Sequence, residues 1–86
     1  MATARERLPR KLIDTCLGLA AEATKLPTQH VWLDYDKEAD VLYISFRRPQ
    51  RATKTVEAGD DVLLRKDGAD IVGLTILDAS TRQRAA

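Results

Sequence analysis

The sequence predicts an α+β domain in which an N-terminal helix packs on a four- to five-stranded antiparallel β-meander. Three observations carry that reading. Apolar residues recur every three or four positions before Pro27, they alternate with polar ones from Gln29 onwards, and short turn-forming stretches separate the alternating runs. A helix first and strands afterwards, joined by short connections, is the α+β arrangement.

Residues 9–25 read as one helix. Leu8, Leu12, Cys16, Ala20 and Ala23 fall three or four apart, and Ile13 and Leu17 widen the stripe, while Lys11, Asp14, Thr15, Gly18 and Glu22 take the other side. Pro9 suits a first helical turn, where its missing N–H removes no bond. Pro27 ends the segment by disfavouring helical geometry at Leu26. Residues 1–8 precede this pattern and are expected to be flexible.

From Gln29 the period becomes two, with Val31, Leu33 and Tyr35 on one side of a first strand and His30, Trp32 and Asp34 on the other. Residues 36–40 are polar and turn-like. Beyond them Leu42, Ile44 and Phe46 alternate with Val41, Tyr43 and Ser45, giving the second strand of a hairpin that Pro49 terminates. Residues 55–57 make a short edge strand before a turn at Gly59 and Asp60. Residues 62–65 form the next strand, 66–70 supply a glycine-containing hairpin loop, and 71–77 return antiparallel. The sheet thus spans residues 29–78 of a single domain, 9–80. Residues 81–86 have no apolar face to dock and are expected to fray.

The expected core sets Leu12, Cys16 and Ala20 of the helix against Leu33, Leu42, Ile44, Phe46, Val62, Leu64, Leu74 and Ile76 of the sheet. One helix covers one face of a sheet, and the opposite face carries Trp32, Val41 and Tyr43. An apolar, aromatic patch rimmed by charge is how subunit contacts are built, so these three are the expected interface.

A chain of 86 residues makes one domain and buries only about 60–65% of its unfolded surface, so a partner subunit would add needed stability. An apolar fraction of 44% with 31% charged residues argues against disorder throughout. With 14 Lys and Arg against 13 Asp and Glu, the overall field steers neither nucleic acid nor an anionic membrane towards the chain. The apolar runs fall far short of the roughly 20 residues of a membrane-crossing helix, and the N-terminus lacks the core of a secretion signal. A soluble, cytoplasmic protein is expected. Cys16 stands alone, which excludes an internal disulfide, and its place on the helical stripe predicts burial.

Two stretches resemble a known family. The first is Tyr35-Asp36-Lys37-Glu38-Ala39-Asp40-Val41-Leu42-Tyr43-Ile44, and the second, after a glycine-containing turn, runs from Ile71 through Gly73, Leu74 and Asp78 to Ser80. Together they resemble DUF2283, a small bacterial domain of unknown function, over residues 31–80. The resemblance implies a β-rich, bacterial, cytoplasmic domain with no established activity, and it transfers no site residues. The N-terminal helix lies outside it.

The sequence supplies no complete catalytic or metal-binding set. Asp34, Asp36, Glu38 and Asp40 superficially follow a calcium loop, but an EF-hand starting at Asp34 needs glycine where Ala39 stands and a bidentate glutamate where Ser45 stands. Asp36 and Asp40 are better read as turn residues whose carboxylates accept backbone N–H bonds. His30 is the only histidine and has no ligand or nucleophile at useful spacing. Ser45 and Ser80 lack a neighbouring histidine and nucleophile-elbow glycines. The glycines are too widely spread for a phosphate loop, and strand packing accounts for Gly73. Arg47, Arg48, Arg51 and Lys54 form a basic loop suited to polyanion contact, yet the sequence around them carries no interleaved aromatics.

The sequence therefore points to a non-enzymatic interaction module, a homo-oligomer and most simply a dimer, with no cofactor and no metal. The alternative is an accessory binder of nucleic acid, the less favoured partner, or of a protein such as a toxin, through the basic loop at residues 47–54.

Overall fold

Alternating side chains, three tight turns and one crossover build one antiparallel sheet from β1 (Trp32–Asp36), β2 (Val41–Ser45), β3 (Lys54–Glu57), β4 (Val62–Asp67) and β5 (Asp70–Leu77). Among the described residues one α-helix, α1 (Arg10–Ala23), precedes them, and a 3-10 turn (Ala79–Thr81) follows. The computed structural model describes residues 8–82. The expected flexible segment 1–8 and frayed segment 81–86 lie outside that range except for Leu8, Thr81 and Arg82.

α1 starts where Pro9 offers its carbonyl to the Ile13 N–H at 3.0 Å, and no side chain caps it. It ends in a tightened turn, with Lys25 N–H on the Glu22 carbonyl and Leu26 N–H on the Ala23 carbonyl, one residue before Pro27.

The turns are specified by their own residues. Asp36 accepts the N–H groups of Glu38 and Ala39 on one carboxylate oxygen, both at 3.1 Å, which closes the β1–β2 turn as expected. At the β4–β5 turn the loop is only two residues long, because Asp67 pairs with Asp70. Gly68, at φ +62°, takes the left-handed position that such a loop demands. Three successive left-handed residues, Gly59, Asp60 and Asp61, turn β3 into β4.

The strand order is β1-β2-β5-β4-β3. Neighbours in sequence pair within β1–β2 and within β3–β4–β5, but β5 inserts beside β2, so the chain is not a plain meander. Residues 46–53 carry the chain from β2 past β5 and β4 to the far edge.

Register sorts the side chains into two unlike faces. On one, two rows run across the strands: Leu33, Ile44, Leu74, Leu64 and Val56, then Tyr35, Leu42, Ile76 and Val62. Neither row contains a charge. On the other, Asp34, Tyr43, Thr75, Leu63 and Glu57 form one row and Trp32, Ser45, Gly73, Arg65 and Thr55 the next. The sheet residues expected to form the core therefore do share a face.

That face is not covered as expected. No residue of α1 is buried, Leu12 is 60% exposed, and Cys16 and Ala20 are exposed too. The predicted helix–sheet core of Leu12, Cys16 and Ala20 is thus corrected. An amphipathic stripe states which side of a helix avoids water, not which surface it meets. Only the C-terminal part of α1 reaches the sheet, where Leu19 and Ala23 join Leu26, Leu33, Leu42 and Ile44 around an open groove of about 440 Å³. Among the described residues only Val41 and Val72 are buried hydrophobic side chains.

Thr81 and Arg82, the first residues of the segment expected to fray, are tied down by polar bonds rather than apolar contact. The Arg82 guanidinium donates to the Leu77 carbonyl at 2.8 Å and to the Asp61 carbonyl at 3.4 Å.

Candidate interaction surface

The apolar rows are left largely uncovered by the rest of the described residues. Leu33 and Tyr35 are exposed and the remaining row residues are half-buried; Ile71, paired with Lys66 beyond the rows, is exposed as well. A second cleft, of about 500 Å³, continues the groove across the same face between Phe46, Leu64, Ile71 and Leu74. Phe46 and Leu74 line both, so the two openings adjoin, and Arg47 and Asp70 add charge to the lining of the second.

The expected interface lies on the other side. Register does place Trp32, Val41 and Tyr43 together there, but they do not make an open patch. Val41 is 8% exposed, enclosed between Asp36 and Leu77 in the ladder, and so belongs to the monomer's own interior. Tyr43 is exposed between Asp34 and Thr75, and Trp32 is half-buried with its ring stacked on His30, centroids 6.0 Å apart. Sequence periodicity identified both faces; it took the helix to cover the apolar rows, which α1 leaves largely open.

Polar groups organise this second face. Gln50, which sequence reasoning passed over, reaches back from the crossover to donate to Ser45 Oγ at 2.9 Å and to accept from Arg65 Nε at 3.2 Å. Arg65 also donates to Thr55 Oγ1. Gly73 lies beneath Gln50, where any side chain would meet it, so space rather than backbone torsion requires glycine there.

The basic loop divides. Arg47 is a brace: its guanidinium donates to the Gln50 carbonyl at 3.1 Å and pairs with Asp67 at the β4–β5 turn. Arg48, Arg51 and Lys54 are exposed and hold no ion pair or side-chain hydrogen bond among the described residues. Replacing Arg47 by alanine is therefore expected to lower stability by about 1 kcal/mol and speed hydrogen exchange across residues 46–53. Arg48→Ala should stay within about 0.5 kcal/mol of the parent. Equal effects in a denaturant titration would contradict this division.

At the opposite end of the sheet Asp40 acts as a clamp. Held at φ +56°, it accepts the Tyr35 hydroxyl at 2.6 Å and the Ser80 N–H at 2.9 Å on one oxygen, and the Ser80 hydroxyl at 2.7 Å on the other. Its backbone carbonyl takes the Ala79 N–H at 2.9 Å. The bond from Tyr35, then those from Ser80, hold its carboxyl below the ordinary carboxylate range. The same bond to Asp40 raises the Tyr35 hydroxyl. Ser80 and His30 lie beyond opposite ends of β1, whose five residues span about 16 Å. They form no nucleophile–base pair. Among the described residues no three His, Cys, Asp or Glu side chains converge, and no helix is long and apolar enough to cross a membrane.

Residues 32–80 match the model of a family described as "Protein of unknown function (DUF2283)". The matched segment is more than half of the chain. It runs from the first residue of β1 to the serine held by Asp40, and so contains the whole sheet with both its faces.

The chain belongs to the DUF2283 family.

No curated protein and no solved structure matches this DUF2283 chain. α1 lies outside the matched segment. The apolar rows are thus part of the segment shared with the family, whereas the helical stripe belongs to the residues ahead of it.

Proposed function

We propose that this DUF2283 chain is a non-enzymatic, cytoplasmic protein-interaction module that works as a homo-oligomer through the apolar face of its sheet. One observation carries the reading: nine side chains form two rows without a charge, and none of them is buried. Domains are ordinarily built of two packed layers, and here the second layer is largely missing. Water against such a face costs roughly 25 cal/mol per Å², which association would recover. The acidic turn, the lone histidine and both serines hydrogen-bond or stack within the scaffold, which favours a binding role over catalysis.

Light scattering at micromolar concentration tests the proposal. The expected mass is about twice the 9.6 kDa of the chain, and Trp32→Ala or Tyr43→Ala should leave it unchanged. A wild-type mass of one chain at tens of micromolar would sink it.

One arrangement favours a second reading. Trp32 stands opposite Ser45, and Ser45 is bonded to Gln50 of the crossover, so the stacked His30–Trp32 pair shares one end of the sheet with Arg48 and Arg51. Bases stack on such rings while cations meet phosphates. Retention on single-stranded nucleic acid should then weaken with salt and with a combined Arg48→Ala, Arg51→Ala, Lys54→Ala variant. Retention indifferent to both would remove this reading.

A further inference from the structure

Resting on the self-association just proposed, we infer that the missing layer is α1 of a second copy: each helix lies across the apolar rows of its partner, giving a reciprocal two-fold dimer. The chain carries both halves of this contact, and within one molecule neither is satisfied. Leu12 and Leu17 are each 60% exposed on the helical stripe, and Leu33 and Ile71 are exposed on the sheet face. The last turns of α1 already line the groove on that face, so a partner's helix would extend a contact the chain has begun.

Dimensions agree. A 14-residue helix is about 21 Å long, and five strands at about 4.8 Å spacing make a face about 19 Å across. Lys11 and Asp14 lie off the stripe, so the uncharged rows would meet the apolar residues of the helix, with Glu22 among the residues that line the groove. Because each subunit presents the same pair of surfaces, two copies close the contact and leave no open end.

The exposed area agrees as well. The chain has 7,252 Å² of accessible surface at 9.6 kDa, where a compact monomer of that mass has about 5,100 Å². Granting the eleven residues outside the described range the full exposure of an extended chain still leaves about 900 Å² in excess. A stable interface buries about 800 Å² per partner.

Sedimentation equilibrium on the full chain tests this with Leu12→Asp on the helix and Leu33→Asp on the sheet. Both positions are exposed enough in the monomer to accept a charge, and circular dichroism checks that each variant folds. Wild type should dimerise, each variant alone should dissociate at least tenfold more readily, and an equimolar mixture should regain part of the affinity. In the mixture one intact helix meets one intact sheet. A dimer indifferent to Leu33→Asp would be a helix–helix contact, and one indifferent to Leu12→Asp a sheet–sheet contact. Either result overturns the exchange while leaving self-association standing, whereas a monomeric wild type overturns both.

A second measurement needs no substitution. Cys16, exposed on the stripe, takes a maleimide-linked benzophenone, and irradiation of mixed isotopically light and heavy chains reports what it touches. Crosslinks between light and heavy chains into residues 32–77 are expected. Crosslinks confined to one chain, or to the partner's residues 10–23, overturn the inference.

Discussion

Gly73→Ala is expected to lower the unfolding temperature by roughly 8–16 °C, corresponding to about 2 kcal/mol for a domain of this size. A Cβ at this position would lie 2.5 Å from the Ile44 carbonyl oxygen and closer still to the Gln50 amide. Gln50 can swing away, but only by giving up its bonds to Ser45 and Arg65. The Ile44 oxygen cannot move without shifting β2 against β5, the pairing that joins the two halves of the sheet. Combining Gly73→Ala with Gln50→Ala should therefore recover only part of the loss. A single variant melting within about 2 °C of the parent would show that the strands absorb a methyl group without strain.

Asp40→Ala is the second change with a large expected effect, because one carboxylate holds both the β1–β2 hairpin and the end of the chain after β5. Alanine removes all three side-chain bonds and must also hold φ +56°, a torsion that asparagine tolerates better. Asp40→Asn should therefore be the milder variant, and comparing the two separates torsion from hydrogen bonding.

The charge has its own signature in pH. Asp40's carboxyl sits lower in the folded chain than in the unfolded one, so its contribution is fully present above the unfolded value of about 4. That contribution is lost as pH falls through the folded value. Tyr35 behaves in the opposite sense: raised by its bond to Asp40, its hydroxyl contributes below about pH 10, and the contribution is lost as pH climbs through the folded value. Chemical denaturation from pH 7 down to 2 should show a steeper fall for wild type than for Asp40→Asn. Parallel curves would mean that the clamp's charge does nothing.

Much of this was legible from local pattern. Seven of the eight sheet residues read as a core from their alternation stand in the two rows, because the Asp36 turn and the Gly68 turn set the register of both hairpins, and the eighth, Phe46, lines the same groove. Gly73 was correctly read as a packing glycine. The polar braces were not legible. Arg47 finds Asp67 across 20 positions, Arg65 finds Gln50 across 15 and Ser80 finds Asp40 across 40. Hydrogen-bonding residue types are too common for such distant pairs to be read from spacing. Arg47, which reads from the sequence as a polyanion contact, also braces a loop.

Side-chain alternation and turn chemistry, both local properties of the chain, determined the α+β class, the strands and which residues stand together on each face. Tertiary structure alone decided that β5 lies between β2 and β4, since backbone ladders form between any two suitably extended segments whatever their side chains. It alone also decided that α1 leaves most of the apolar rows open. The hydrophobic effect has no direction: a greasy stripe and a greasy face each avoid water, and only the path of the chain between them settles whether they meet in one molecule.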